Sequence, residues 1–231
     1  MSAWSSGVPL VLVSMLAACS SVDDRGSPGD AAADAAVAGT SAAWGCEDPQ
    51  PGHPTEAEER AFVEEVGILA TRAEERHGLP AAAITAMAIL ESGYGWTRLA
   101  QSTNNVLAWK YFPGAAGERD FWVLECPEEG TSDRFIVFRD RAEAVDYVAA
   151  QLATSDNYWA DTERYRRDRA SGMNVVEAVD RWVDGIADPY SSQPEAYHTA
   201  VRRIMTDTYQ LAGASERNLY ALSESVSPPG A

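Results

Sequence analysis

Residues 80–110 decide the fold of this chain and read PAAAITAMAILESGYGWTRLAQSTNNVLAWK. This stretch predicts a helix that begins near Pro80 and ends before Gly93, because proline suits a first helical turn and glycine suits a helix end. Helical spacing places Glu91 on the same face as three apolar side chains, those of Ile84, Met87 and Ala88. Glu91 is therefore a carboxylate in an apolar stripe at the carboxyl end of a helix.

The segments around this helix predict further helices and one β-hairpin. Thr55 and Glu58 form a capping-box pattern at the start of a helix that runs to about His77. Asp120–Glu125 and Phe135–Phe138 are β-branched and aromatic runs separated by turn residues, which is typical of a hairpin. Three later helices are indicated by apolar residues at helical spacing: Val145, Val148 and Leu152; Val175, Val179, Trp182 and Ile186; and Tyr197, Val201, Ile204 and Tyr209. The expected fold class is mainly α (α+β), with a helical lobe and a small β-hairpin lobe.

Both ends of the chain differ in composition from its middle. Residues 20–54 are rich in Ala, Asp, Gly, Ser and Pro and have little apolar periodicity, so burial cannot offset the entropy lost on ordering them. We expect a disordered tether over residues 20–54, a folded domain over residues 55–211 and a flexible tail over residues 212–231.

The amino end resembles a bacterial lipoprotein signal. An apolar run from Val8 to Ala18 is shorter than the roughly 20 residues that span a bilayer, and it is followed by Cys19. The sequence Leu-Ala-Ala-Cys resembles a lipobox, in which the cysteine carries the lipid and becomes the first mature residue. No lysine or arginine precedes the apolar run, which departs from the usual signal, and an ordinary secretory signal is the alternative.

This resemblance predicts where the protein lies in the cell. Residues 1–19 are expected to be a lipoprotein signal peptide, and the lipid on Cys19 is expected to hold the protein at the membrane. Ser20, directly after Cys19, is typical of outer-membrane sorting. We therefore expect a lipid-anchored protein of the cell envelope, on the outer membrane facing the periplasm if the cell is Gram-negative.

The composition excludes several classes of partner. A net charge of −17, from 35 acidic and 18 basic residues, argues against nucleic acid. The three histidines lie far apart in the sequence and the cysteines lack zinc-ligand spacing. Neither a glycine-rich phosphate loop nor a Gly-x-Ser-x-Gly nucleophile elbow is present. We expect no nucleic-acid partner, no metal and no cofactor, and we expect a monomer.

Two cysteines remain once Cys19 is assigned to lipid. Cys46 and Cys126 form an even pair in an oxidising compartment, where a disulfide is permitted. We expect them to be bridged. Two unpaired thiols are the alternative, because the sequence gives no distance between them.

The position of Glu91 favours an acid that keeps its proton. Desolvation on an apolar face and the negative end of the helix dipole both raise the pKa of a carboxyl group. A carboxylic acid that is still protonated near neutral pH can donate a proton to a departing sugar oxygen. A glutamate turned to solvent, or one satisfied by backbone donors, is the alternative that position alone leaves open.

Aromatic and amide side chains crowd the sequence after Glu91. Sugar-binding clefts stack aromatic rings on pyranose faces, and amides can bind sugar hydroxyl groups. A small hydrophobic core would contain the same rings, so each one is also a candidate core residue. The candidate substrate-binding residues in this region are Tyr94, Trp96, Asn104, Asn105 and Trp109.

Several of these motifs together resemble the bacterial endo-β-N-acetylglucosaminidase family, which includes flagellar and autolysin-type glucosaminidase domains. The helix ending in Glu-Ser-Gly-Tyr-Gly over residues 86–95 is followed by Asn-Asn-Val-Leu-Ala-Trp-Lys over residues 104–110. The resemblance continues through Phe-Arg-Asp at residues 138–140 and closes with Tyr-Ser-Ser-Gln-Pro-Glu-Ala-Tyr at residues 190–197. It covers about residues 60–210, with mild departures in the Asn-Asn segment.

The resemblance implies a fold, a reaction and two site residues. The fold would be lysozyme-like, with a groove between the helical lobe and the hairpin lobe. The reaction would be hydrolysis of the β-1,4 bond after N-acetylglucosamine in the glycan strands of peptidoglycan. The glutamate of the Glu-Ser-Gly motif, Glu91, would be the essential acid. The tyrosine of the closing element, Tyr190, would line the cleft; a core tyrosine is its alternative role.

The partner of Glu91 is left open by the sequence. Some family members use an acid on the hairpin, where we favour Glu125 and then Glu128. A carboxylate about 5 Å from Glu91 would suit a nucleophile, whereas a separation of about 6.5–9.5 Å would suit a base that activates water. The acetamido group of the substrate is a third candidate.

Two other functions compete with this one. A lytic transglycosylase also places a Glu-Ser pair at a helix end, but its usual Gly-Leu-Met-Gln type segment is absent. A non-catalytic glycan-binding lipoprotein would keep the groove without turnover, although the presence of Glu91 argues against it.

Overall fold

The computed structural model of the chain describes residues 44–127, 130–211 and 216–227. Eight helices and four strands lie in this part of the chain. They are α1 (Glu56–His77), α2 (Ala81–Ser92), α3 (Arg98–Thr103), β1 (Phe121–Cys126), β2 (Thr131–Ile136), α4 (Arg141–Thr154), α5 (Trp159–Ala170), α6 (Val175–Tyr190), α7 (Pro194–Thr206), β3 (Thr208–Gln210), β4 (Glu216–Asn218) and α8 (Tyr220–Glu224). The predicted class, mainly helical with a small β-hairpin, is confirmed.

The first two helices follow the sequence signals closely. Thr55 caps α1 and forms the predicted capping box with Glu58. Gly78 ends α1 in the left-handed conformation, with φ of 64°. Helix α2 then runs through the centre of the domain and packs against α1, α7 and α8. All of its residues from Ala81 to Ile89 are buried, so the helix is fixed along most of its length.

The β-hairpin forms with a shifted second strand. Strand β1 pairs antiparallel with β2 from Phe121 opposite Ile136 to Cys126 opposite Thr131. The predicted second strand, residues 135–138, begins too late, because the polar start of β2 carries no apolar signal. Phe138 leaves the ladder and donates its backbone N–H to the Thr103 carbonyl, which ties the hairpin to α3.

Five elements are not predicted by the sequence: α3, α5, α8 and the two strands of the short pair β3–β4. Helix α5 buries only three of its residues, Thr162, Tyr165 and Arg169. It therefore has no apolar stripe, and periodicity cannot reveal it. The other missed elements are six residues or shorter, which is less than two helical turns or a typical strand.

The folded domain extends beyond residues 55–211 in both directions. Residues 44–54, here called the amino-terminal strap, contact the domain through a β-bridge from Pro49 to Thr97 and a hydrogen bond from the Gln50 N–H to the Trp96 carbonyl, 2.8 Å. Near the other end, Leu219, Tyr220, Ala221 and Val226 are buried. The predicted tether and tail are wrong for these segments, because a few anchoring contacts fix stretches too short or too polar to show periodicity.

The predicted signal peptide, the lipid site Cys19 and most of the predicted tether lie outside the described residues. In the parts of the chain that the structure describes, no helix is both long and apolar enough to cross a membrane.

Candidate active site

Glu91 lies in the last turn of α2, and the chain turns sharply directly after it. Gly93 ends the helix in the left-handed conformation, with φ of 52°. The buried Ser92 hydroxyl donates to the Ala88 carbonyl, 2.5 Å, and accepts from the Gly95 N–H, 2.8 Å. The serine and glycines of the Glu-Ser-Gly-Tyr-Gly motif therefore build the turn that presents Glu91, while the Glu91 side chain remains partly exposed.

Two tyrosines from other helices face Glu91. Tyr190 is the last residue of α6, and Tyr197 lies in α7. Their rings are 5.3 Å apart between centroids. Burial raises the pKa of both phenols well above the usual value, and the negative charge of Glu91 adds to the rise. The structure thus brings together the carboxyl and the closing tyrosine that the sequence motifs indicate, together with a second tyrosine.

The environment of Glu91 raises its pKa to about 7. Desolvation by the surrounding protein is the largest cause, and the negative charge of Glu47 in the strap adds to it. The Tyr197 hydroxyl opposes the rise by stabilising the ionised form. A carboxyl group with this pKa is protonated in a large fraction of molecules at neutral pH and can donate a proton.

The Tyr197 hydroxyl is buried without a hydrogen-bond partner in the described part of the chain. It lies close enough to Glu91 to affect its pKa, although the two groups do not meet in normal hydrogen-bond geometry. A buried hydroxyl without a partner loses roughly 1–3 kcal/mol of free energy, so such groups call for an explanation. Here the hydroxyl without a partner lies beside the candidate acid.

An aromatic wall, defined as Trp109, Tyr158, Tyr190 and Tyr197, adjoins Glu91. The Trp109 ring lies 6.1 Å from each of the Tyr158 and Tyr190 rings. The Tyr190 hydroxyl donates to the Leu107 carbonyl, 2.6 Å, which fixes its ring against the 104–110 segment. Trp109 and Tyr190 stay partly exposed, so this wall can offer ring faces to a sugar.

The amide side chains of Asn104 and Asn105 are engaged with the backbone. The Asn105 amide donates to the carbonyls of Trp109, 2.9 Å, and Ile136, 3.0 Å, and its oxygen accepts from the Trp109 N–H. The Asn104 amide donates to two carbonyls at the end of the hairpin, those of residues 138 and 139. Both amides therefore shape the loop that carries Trp109 and join it to the hairpin.

The rings of Tyr94 and Trp96 pack on other parts of the domain. Tyr94, with φ of 57°, contacts the Phe62 ring edge-to-face, and its hydroxyl lies 3.5 Å from that of Tyr209. Trp96 stacks on His53 of the strap, with ring centroids 3.9 Å apart. Neither contact involves Glu91, so the structure gives these two residues a supporting position around the helix end.

Of the two candidate hairpin acids, Glu125 lies in the described part of the chain, and its charge is not among the causes of the raised pKa of Glu91. Glu125 is exposed on β1, opposite Ser132. Glu128 lies outside the described residues. Among the described residues, the carboxylate whose charge raises the pKa of Glu91 is Glu47, in a segment that the sequence predicts to be a tether.

Cys46 of the strap is joined to Cys126 at the end of β1, as expected from the sequence, with Cα atoms 5.7 Å apart. Within residues 44–127, 130–211 and 216–227, no group of three or more His, Cys, Asp or Glu side chains is arranged to hold a metal ion.

A partly exposed acid with a raised pKa at a helix end, beside a wall of rings in a mainly helical domain with a hairpin, is the arrangement expected of a glycoside hydrolase. The sequence profile of the glucosaminidase family, described as mannosyl-glycoprotein endo-β-N-acetylglucosaminidase, matches residues 67–210. That match covers more than half of the 231 residues, and the chain belongs to this family. No curated protein matches the sequence significantly.

Solved structures similar to this chain include three from bacteria. The catalytic domain of the autolysin Auto from Listeria monocytogenes has a TM-score of 0.50 and 15% identity, covering 74% of this chain and 89% of that one. The peptidoglycan hydrolase from Sphingomonas sp. A1 has a TM-score of 0.44 and 20% identity, covering 62% and 85%. A truncated glycoside hydrolase domain of Salmonella typhimurium FlgJ has a TM-score of 0.44 and 19% identity, covering 63% and 93%. The first of these supports the lysozyme-like fold.

Proposed function

We propose that this protein is a peptidoglycan hydrolase that cleaves the β-1,4 bond after N-acetylglucosamine, with Glu91 as the general acid. The observation that carries the proposal is the carboxyl group of Glu91, whose pKa is raised to about 7 at the end of a buried helix. Membership of the glucosaminidase family supports the sugar and the type of bond. The autolysin with a similar fold is consistent with a cell-wall substrate.

The chemistry follows from the protonation state of Glu91. The departing sugar oxygen is a poor leaving group unless it gains a proton as the glycosidic bond breaks. Glu91 supplies that proton because desolvation holds it on the carboxyl group up to about neutral pH. The buried Tyr197 hydroxyl, which lacks a partner among the described residues, is placed to stabilise the carboxylate that remains after transfer.

The aromatic wall is the proposed sugar-binding surface. Trp109 and Tyr190 keep partly exposed rings, which can stack on the apolar faces of pyranose units. Asn104 and Asn105 act indirectly in this proposal, because their amides hold the loop that carries Trp109. Tyr94 and Trp96 support the turn after Glu91 through their contacts with α1 and the strap.

The proposed location is the cell envelope. A lipid on Cys19 would anchor the chain, and the residues between Cys19 and the strap would act as a flexible tether that reaches roughly some tens of ångströms into the glycan layer. Replacing Cys19 with serine is expected to release the protein from membranes in a fractionation assay. Continued membrane binding by that variant would exclude the lipid anchor.

Analysis of the reaction products tests the proposed bond. Purified peptidoglycan is digested, and the new glycan ends are identified by mass spectrometry before and after borohydride reduction. The proposal predicts reducing N-acetylglucosamine ends. Anhydro-muramic ends would instead show a lytic transglycosylase, and no new ends would favour a glycan-binding protein.

A pair of glutamine variants tests the role of Glu91. Glu91→Gln preserves size but removes the acid, so hydrolysis is expected to fall by about 10²–10⁴-fold while the fold is kept. Glu224→Gln is the matched control, because Glu224 is an exposed carboxylate on α8, which packs against α2. Equal rates for both variants would remove Glu91 from the mechanism.

A further inference from the structure

The amino-terminal strap is fixed to both lobes around the proposed site. Cys46 is joined to Cys126 at the end of the hairpin strand β1. Three residues later, Pro49 forms a β-bridge with Thr97, just beyond the turn that ends α2. The strap therefore crosses from the hairpin to the helix end within four residues, and Glu47 lies between its two attachment points.

The contact between the strap and the helix end is close. A Cβ atom built on Gly93 would lie only 2.6 Å from the Pro49 Cγ, so the proline ring rests against the glycine that ends α2. Gly93 is two residues after Glu91, and Pro49 is two residues after Glu47. A second backbone contact, from the Gln50 N–H to the Trp96 carbonyl, 2.8 Å, keeps the strap in this place.

Among the described residues, the charged and titratable groups that face Glu91 come from three elements. The strap contributes Glu47, α6 contributes Tyr190 and α7 contributes Tyr197. Glu47 is the carboxylate among them, and its negative charge raises the pKa of Glu91. Close to the strap, the Arg98 guanidinium lies 3.8 Å from the Cys46 sulfur.

Glycoside hydrolysis by a pair of carboxyl groups needs one that donates a proton and one that is ionised. Glu91 fits the first role because of its desolvation. Glu47 is exposed, so water can reach its carboxylate. The strap lies before residue 67, where the family match begins, so this carboxylate belongs to a part of the chain that the family profile does not cover.

We propose that Glu47, held by the strap between the hairpin and the end of α2, is the second carboxylate of the active site and acts as the base that activates water. The inference rests on the proposed hydrolase function. Glu91 gives its proton to the glycosidic oxygen as the bond from that oxygen to C1 breaks, and the electron pair stays on the oxygen. Water attacks C1 and gives its proton to Glu47. Exchange with solvent then removes the proton from Glu47 and returns one to Glu91.

Substitution of Glu47 tests this role in the full chain. Glu47→Ala and Glu47→Gln are each expected to lower kcat on purified glycan by about 10²–10⁴-fold, with little change in KM. Added azide should restore part of the rate in Glu47→Ala and give a glycosyl azide, because the small anion replaces the activated water. Asp48→Asn is the matched control in the same strap and is expected to keep the wild-type rate.

Two further readouts separate a catalytic base from a structural residue. The alkaline limb of the pH–rate profile of Glu47→Gln should lie at lower pH than that of wild type. The reason is that removal of the negative charge facing Glu91 lowers the pKa of Glu91. Proton NMR of the first product formed by wild type should show inversion at C1, as expected when a base activates water in a single displacement.

Several results would overturn the role of Glu47. The first is wild-type activity in both Glu47 variants, and the second is a loss of activity with neither azide rescue nor a shift of the alkaline limb. The third is retention at C1. The fourth is that Glu125→Ala, rather than Glu47→Ala, shows the loss of activity and the azide rescue. The proposed hydrolase function survives each of these results if wild type forms N-acetylglucosamine ends and Glu91→Gln does not. Absence of cleavage by wild type would instead remove the function itself.

Discussion

The substitution Glu91→Gln should make the protein more stable at alkaline pH while it lowers glycan hydrolysis by about 10²–10⁴-fold. The folded protein raises the pKa of Glu91 from its ordinary value of 4.5 to about 7. This difference of roughly 2.5 pH units corresponds to about 3 kcal/mol, since each unit is about 1.4 kcal/mol. Partial exposure of the side chain makes this figure an upper value.

The sign of the effect depends on pH. Below about pH 4.5, Glu91 is protonated in both the folded and the unfolded protein, so its ionisation does not affect folding. Between about pH 4.5 and 7 the unfolded chain loses this proton first, and the folded state becomes progressively less favourable. Above pH 7 the full destabilisation is present in wild type. Glutamine stays neutral at every pH, so this destabilisation is absent from Glu91→Gln.

Urea denaturation at pH 4.5 and pH 8.5 measures this difference. The free energy of unfolding of Glu91→Gln minus that of wild type is expected to rise by up to about 3 kcal/mol between the two pH values. Every other titrating group is shared by the two proteins, so the comparison isolates residue 91. Glu224→Gln should show no such rise. Parallel pH dependence of wild type and Glu91→Gln would refute a carboxyl group with a raised pKa.

Three further predictions concern the same end of α2. The initial rate of wild-type hydrolysis should fall as pH rises through about 7, because Glu91 loses its proton; a rate that is flat to pH 9 would contradict this. Gly93→Ala should lower the free energy of unfolding by at least ~1 kcal/mol and reduce activity, because the φ of residue 93 is 52° and the Pro49 ring fills the space that the added methyl group needs. An unchanged melting temperature would be inconsistent with that geometry. Replacing Cys46 and Cys126 with alanine should cost about 4 kcal/mol in urea denaturation, because the disulfide closes a loop with a sequence separation of 80; an unchanged midpoint would count against the crosslink.

The parts of the fold that the sequence predicts are those with strong local signals. Helix α1 has a capping box and a terminal glycine, and α2 lies between Pro80 and Gly93, so both boundaries are encoded in the chain itself. Helix α5 has no such signal. It is held instead by long-range polar contacts, such as the hydrogen bond from the Trp182 indole to the Thr162 hydroxyl, 3.1 Å.

The candidate site also has residues whose role the sequence predicts and residues whose role it does not. The position of Glu91 on an apolar helix face predicts a raised pKa, because desolvation is the largest cause of the rise. The second cause, the negative charge of Glu47, comes from the strap. Glu47 could not be predicted, because its segment has the composition of a linker and is held at the site by long-range contacts, among them the disulfide and the bridge at Pro49. The amide of Asn105 suggested sugar binding, whereas its three hydrogen bonds to the backbone appear only in the folded chain.

The measurement that tests the central claim most directly compares Glu91→Gln with wild type on two substrates that differ only in the leaving group. One is a natural glycan, whose departing oxygen needs a proton; the other is an aryl glycoside with a dinitrophenolate group, which leaves without one. If Glu91 is the proton donor, the variant loses about 10²–10⁴-fold on the glycan and far less on the aryl glycoside. An equal loss on both substrates, or no loss on either, would contradict the assignment of Glu91 as the general acid.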